Sequence, residues 1–283
     1  MLIGCVWPDM SSMTQRIAFI GGGNMARSLI GGLIREGRAP SSIHVAEPNA
    51  ELREALARDF GVITHVSNSA AALAAGVWVL AVKPQVMGAV LAELAPVAPD
   101  RTPLVVSIAA GVTHARIAAA LGATARVVRT MPNTPAMIGA GITGLYAGTD
   151  VDSDERAAVE ALLATAGATV WIEDETQMDV VTAVSGSGPA YFFLMIEALT
   201  AAGERQGLPQ PTAAKLAVHT ALGAARMAIE AGESPGVLRQ RVTSPGGTTA
   251  AALDTFAAGG FAELVDRAVA AATARGQELA RGA

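Results

Sequence analysis

Between Arg16 and Trp171 the apolar residues follow two alternating rhythms. Unbroken or alternating apolar runs of a strand's length occur at "RIAFIG", "IHVAE", "VWVLAV", "PLVVSI" and "ARVVRT", with a later pair at "GITGLYA" and "ATVWI". Between them "MARSLIGGLIREG" and "NAELREALARDFG" place apolar residues three and four apart and end on Gly, as amphipathic helices do. Strands that alternate with helices predict a parallel sheet with crossover connections, a doubly wound α/β domain. After Glu173 the β-rich runs stop, and "AYFFLMIEALTAAGERQG", "PTAAKLAVHTALGAARMAIEAG", "SPGVLRQRV" and "GFAELVDRAVAAATARGQEL" read as helices. Pro189, Pro211 and Pro235 stand near helix starts, where the missing N–H costs little. These helices are apolar on more than one face, more than one small domain needs for its own core. The surplus predicts a helical dimer interface.

A chain of 283 residues is long enough for two domains. The expected division is a disordered extension over 1–12, the α/β domain over 13–174 and the all-α domain over 175–283, with Met13 as the natural start. Hydrophobic residues make up 51% of the chain and mean hydropathy is +0.40. Glu197, Pro189 and Lys83 nonetheless break the longest apolar segments, so no membrane span is expected. A net charge of −5 without any basic run argues against a nucleic-acid partner and favours a small molecule. The single Cys5 cannot form an intramolecular disulfide, and the first twelve residues lack the features of a signal peptide. A cytoplasmic protein is expected. His44, His65, His114 and His219 share no motif, and no metal-ligand spacing or Ser-His-Asp order appears, so neither a metal site nor hydrolase chemistry is expected.

Candidate chemistry begins at "IAFIGGGNMARSL". A strand ends at Ile20, Gly21 and Gly23 make the turn, and Ala26 takes the third small position of a G-x-G-x-x-A fingerprint that lets backbone N–H groups approach a pyrophosphate. Glu47 ends the second strand, where a carboxylate accepts hydrogen bonds from an adenosine ribose and disfavours a 2′-phosphate; a solvated Glu before a helix start is the alternative. "WVLAVKPQ" carries Lys83 to the carboxyl edge of the sheet, one of only two lysines, with Lys215, among 20 basic residues. It suits either a cofactor phosphate or a strand end that leads its charge to water. Ser107 to Gly111, "SIAAG", puts small residues where a flat ring can lie against the backbone. Pro132, Asn133, Thr134 and Pro135 read as a rigid connector, and Ser185-Gly186-Ser187-Gly188 as a site of close helix packing.

In this order the motifs "FIGGGNMA", "AVKP", "VSIAAGV", "RTMPNTPA", "VSGSGPAYFF", "GLPQ" and "VTSPGGTTAAAL" resemble those of the pyrroline-5-carboxylate reductases over nearly the whole chain from Arg16. The resemblance implies an N-terminal Rossmann-type domain, a helical domain that interlocks with a partner subunit in a homodimer or larger homo-oligomer, and reduction of a cyclic imine to L-proline with NADPH or NADH. It places the cofactor against Gly21, Gly22, Gly23, Asn24, Met25, Glu47, Asn68, Ala81, Val82, Lys83, Pro84, Ile108 and Ala110. It places the substrate against Ser244, Gly247, Thr248 and Thr249, with Glu175 from the domain junction, and Thr249 on the ring nitrogen as the catalytic hydroxyl. Two positions depart from the family pattern. Leu238-Arg239-Gln240-Arg241 stand where many relatives carry Lys-Asp, and Glu47 replaces short hydroxyl residues that suit a 2′-phosphate. A β-hydroxyacid dehydrogenase, which needs a catalytic Lys in the helical half, and a non-catalytic dinucleotide sensor are the competing readings.

Overall fold

The computed structural model describes residues 16–282; the expectations for residues 1–12, Cys5 and a start at Met13 lie outside them. The chain divides into two compact units, one ending at Gly186 and taking back the residues from Thr273 onward, the other Ser187–Ala272.

The first unit is built on β1 Ile17–Ile20, β2 Ile43–Ala46, β3 Ile63–His65, β4 Val77–Leu80, β5 Leu104–Ser107, β6 Arg126–Met131, β7 Gly141–Ala147 and β8 Gly167–Trp171. They form one sheet in the order β3-β2-β1-β4-β5-β6-β7-β8. β1, β2, β4 and β5 are buried at every position. A sheet covered on both faces requires this, and it explains why these strands read as continuous apolar runs rather than as alternation. On one face α1 Asn24–Arg35, α2 Ala50–Phe60 and α7 Ser153–Ala164 bury Leu29, Ile30, Leu56 and Leu163 with Phe19 and Val45. On the other, α3 Asn68–Leu73, α4 Pro84–Leu94, the short α5 Ala98–Arg101 and α6 His114–Leu121 bury Met87, Leu91 and Ile117 with Trp78 and Leu80. The Trp78 indole N–H is satisfied by the Ala72 and Ala75 carbonyls at 3.0 and 3.1 Å, so the largest core side chain leaves no polar atom unpaired. Helix ends follow local chemistry. Asn49 caps α2 through Leu52 N–H, and Asp152 and Glu155 form a reciprocal capping box at α7.

Two features of the sheet amend the sequence reading. β3 was not expected, because Ile63-Thr64-His65 is too short to show a period. β7 runs antiparallel to β6, whereas β8 is parallel to β7.

The expected all-α domain begins at residue 175; by contacts within the chain, residues through Gly186 group with the first unit. After α8 Met178–Val181 the backbone widens into a π turn at Thr182–Gly186. There Asn133 donates to the Ser185 carbonyl at 3.1 Å and accepts from Ile142 N–H at 3.0 Å.

The second unit comprises α9 Gly188–Arg205, α10 Gln210–Glu230, α11 Pro235–Arg241, α12 Thr248–Ala258 and most of α13 Phe261–Gly282. Its helices bury little of their apolar surface within the chain: Phe192, Phe193 and Ile229 are 69, 62 and 83% exposed. The expected apolar surplus is therefore present. Within the stretch Glu175–Arg205 an 18-residue window reaches a mean hydropathy of 1.2, long and apolar enough by length and composition alone to cross a membrane.

Candidate functional site

The strongest constraint at the carboxyl edge of the sheet falls on the turn after β1. Gly21 has φ +101°, and a Cβ there would lie 2.6 Å from the Ala81 carbonyl oxygen, so only glycine fits. Gly23, by contrast, faces open space and is the N-cap of α1, which has no side-chain cap and no acidic residue in its first turn. The N–H groups at the start of this helix are therefore available, and with the helix dipole they suit a phosphate. This open cradle fits the pyrophosphate of a dinucleotide, with Gly21, Gly22, Gly23, Asn24 and Met25 around it. Ala81, Val82, Lys83 and Pro84 follow β4 and lead into α4. The Lys83 side chain is exposed, with no hydrogen bond or ion pair among the described residues.

Glu47 is not a solvated residue. It is 9% exposed, and its carboxylate accepts from Gly22 N–H at 3.0 Å and from Asn49 N–H at 2.9 Å. The glycine turn and the end of β2 are thereby tied together. Arg53, which the sequence reading passed over, folds back from α2 and donates to the Glu47 and Pro48 carbonyls at 2.8 and 3.2 Å. Asn68, expected at the cofactor, donates its amide to Glu93 at 2.7 Å. Burial pushes the Glu93 carboxyl up, but hydrogen bonds from Asn68, Ser69 and Ser67 outweigh it and hold the group below its ordinary range.

Beyond β5, Ile108 is half-buried and Ala110 exposed. A cavity of about 490 Å³ opens there, lined among others by Pro84, Ala110, Arg116, Asp179 and Glu278. Glu175 is engaged within the first unit. Its Oε1 accepts from Arg129 at 2.9 Å and from His114 N–H, at the start of α6, at 2.7 Å. Arg129 is 5% exposed, with Asp179 4.0 Å away on its other side. An Arg inside the apolar run "RVVRT" was the available signal for this buried pair.

His44 and His65 stack across β2 and β3 with ring nitrogens 2.9 Å apart, His114 meets Tyr146 edge to face, and His219 is exposed. Among the described residues no cluster suits a metal ion.

In the second unit "SPGGTT" folds as a tight turn into α12. Gly247 N–H donates to the Ser244 carbonyl at 3.0 Å, and Gly246 has φ +69°. Gly247 is the N-cap of α12, again with no side-chain cap and no acid in the first turn. Thr248 and Thr249 occupy the first helical positions. The hydroxyl of half-buried Thr249 has no hydrogen-bond partner among the described residues. The departure preceding this turn has a structural use, since Arg241 pairs with Glu233 at 2.6 Å across α11.

Comparison with known proteins matches residues 175–279 to the family model "Pyrroline-5-carboxylate reductase dimerisation" and residues 16–111 to "NADP oxidoreductase coenzyme F420-dependent". A pyrroline-5-carboxylate reductase of Pseudomonas aeruginosa is 50% identical over 94% of this chain and 97% of its own. The structure of a pyrroline-5-carboxylate reductase from Coxiella burnetii superposes with a TM-score of 0.91 at 44% identity, covering 94% of this chain and 98% of that one. The Plasmodium falciparum enzyme, solved with NADP bound, gives 0.81 at 28% identity with the same coverage. By sequence, fold and motif together, the chain belongs to the pyrroline-5-carboxylate reductase family.

Proposed function

We propose that the two glycine-capped helix starts divide the reaction between them: α1 receives the cofactor pyrophosphate, and α12 receives the substrate carboxylate. The protein is an NAD(P)H-dependent oxidoreductase of proline biosynthesis that reduces 1-pyrroline-5-carboxylate to L-proline, and it forms homo-oligomers. The observation that carries the division is shared by both helices. Each follows a Gly N-cap, lacks a side-chain cap and has no acid in its first turn, so each presents unpaired N–H groups to an anion.

When bound, the reduced nicotinamide supplies the hydride. The chain's own residues bind and orient. Gly21 to Met25, Glu47, Asn68, Ala81 to Pro84, Ile108 and Ala110 hold the cofactor in this reading, with Asn68 acting through its remaining carbonyl oxygen. Thr248 and Thr249 N–H groups hold the substrate carboxylate, and the Thr249 hydroxyl bonds the ring nitrogen. A cyclic imine is basic enough to carry a proton near neutral pH, so the site needs a positioned donor rather than a strong acid. Ser244 and Gly247 shape the turn. Glu175 serves here as an ion-pair partner of Arg129 rather than as a substrate ligand.

The exposed apolar faces of α9 and α10 pair with a second copy, making the helical unit the dimer interface, and the enzyme works in the cytoplasm. A β-hydroxyacid dehydrogenase or a non-catalytic sensor is disfavoured by the family membership and by the exposed, isolated position of Lys215 on α10.

Steady-state kinetics of Thr249→Ala with 1-pyrroline-5-carboxylate and reduced nicotinamide tests the assignment. Loss of one positioned hydrogen bond lowers kcat/KM by about one to two orders of magnitude. Unchanged kinetics remove Thr249 from the reaction.

A further inference from the structure

The loop between β2 and α2 carries both an anion and a cation, and their different anchoring bears on the cofactor. Glu47 presents its carboxylate towards the glycine turn, and both of its oxygens are already engaged by backbone N–H groups, Gly22 on one and Asn49 on the other. It is buried and fixed, so it cannot swing away from a larger ligand. Arg53 lies behind it on the first turns of α2. Only its Nη1 is engaged, by the carbonyls of Glu47 and Pro48. Those two bonds hold the guanidinium beside the loop, while Nε and Nη2 have no partner among the described residues. Neither bond neutralises the charge, because both acceptors are carbonyls.

In dinucleotide-binding sheets the residue at the end of the second strand meets the adenosine ribose, and a nearby Arg accommodates a 2′-phosphate. A guanidinium offers a planar, permanently charged fork that matches phosphate geometry. The start of α2 adds its own partial positive charge to the same loop. The loop thus opposes a 2′-phosphate through Glu47 and attracts it through Arg53 and the helix start.

We infer that Arg53 is the 2′-phosphate-binding residue of this chain, so that the site takes NADPH as well as NADH despite the carboxylate of Glu47. This rests on the reading that the β1–α1 turn and Glu47 hold the adenosine half of the cofactor. No other Arg or Lys donates to the backbone of this loop among the described residues.

The test is calorimetric titration of the intact enzyme with adenosine 2′,5′-bisphosphate (2′,5′-ADP) and with 5′-AMP, which differ only in the 2′-phosphate. Arg53→Gln weakens 2′,5′-ADP binding at least about tenfold and leaves 5′-AMP within about twofold. Arg53→Lys, which keeps the charge and loses the fork, recovers part of the loss. The same split appears in kcat/KM for NADPH against NADH. Parallel weakening of both nucleotides, with a lowered Tm, assigns Arg53 to holding the loop and overturns the inference, as does no change in either. Glu47→Gln separates the two levels of the argument. If it alters nucleotide affinity while Arg53→Gln does not, only the role of Arg53 falls. If neither variant moves either affinity, the adenosine site itself is misplaced.

Discussion

Replacing Glu175 by Ala leaves Arg129 inside the first unit without the carboxylate that faces it at 2.9 Å. Removing one partner of a buried ion pair costs about 3–5 kcal/mol, because the remaining charge stays desolvated. Two structural details adjust that range. Asp179 lies 4.0 Å from Arg129 and keeps one anion nearby, which lowers the cost. Loss of the Glu175 bond to His114 N–H takes an anion from the start of α6, which adds about 0.3–1 kcal/mol. The net expectation is about 3 kcal/mol for Glu175→Ala. Glu175→Gln preserves one acceptor oxygen for both donors and should cost about 1 kcal/mol. Urea unfolding at matched protomer concentration reads the difference as a shift in midpoint at constant slope. KM for the imine, measured under conditions where all proteins are folded, stays within about twofold in both variants if Glu175 is structural. A Glu175→Ala protein as stable as the parent, with KM raised more than about tenfold, refutes the reasoning and returns Glu175 to the substrate.

Gly21→Ala forces a Cβ to 2.6 Å from the Ala81 carbonyl at φ +101°, so cofactor affinity should drop by at least about tenfold and Tm should fall; retained affinity would mean the turn can rearrange. The His44–His65 pair sets a pH dependence. Burial, then the charges of His65 and Arg16, hold the His44 imidazole below its ordinary pKa, and burial does the same for His65. The unfolded chain therefore protonates first. The pair's contribution is fully present above about pH 6.5 and is lost as pH falls below it. His44→Gln should flatten the decline of unfolding free energy between pH 7 and 5, and an identical slope would contradict this. Phe193→Glu puts a charge into the apolar face of α9 and should lower the assembled mass in sedimentation at micromolar protein, an effect absent if that face is merely solvated.

Most of the first unit was legible because buried strands and amphipathic helices carry opposite periods. What escaped was short or encoded in spacing. β3 has three residues, with Ile63 exposed, and offers neither a run nor alternation. The antiparallel β7 could have been read, since the nine residues between Met131 and Gly141 are too few for a helical crossover. At the candidate site the glycines announced themselves, whereas the partners of Glu47 and Glu175 did not. A carboxylate's destination depends on which backbone N–H groups the fold brings to it, and no local pattern records that. Arg129 within "RVVRT" is the exception, because a cation that follows two valines in a buried strand requires an anion from elsewhere.

The helix α13 leaves the helical unit at Thr273 and ends among residues of the first unit. A Cβ at Gly276 would lie 3.3 Å from Asp179, and one at Gly111 3.6 Å from Ala280. The nucleotide-binding unit is thus encoded in two separate stretches of the gene, with the helical unit inserted between them. Exchanging helical units between relatives therefore demands two junctions. A single splice at Gly186 would carry foreign side chains to Asp179 and to the wall of the cavity beside β5, changing the first unit while appearing to leave it intact.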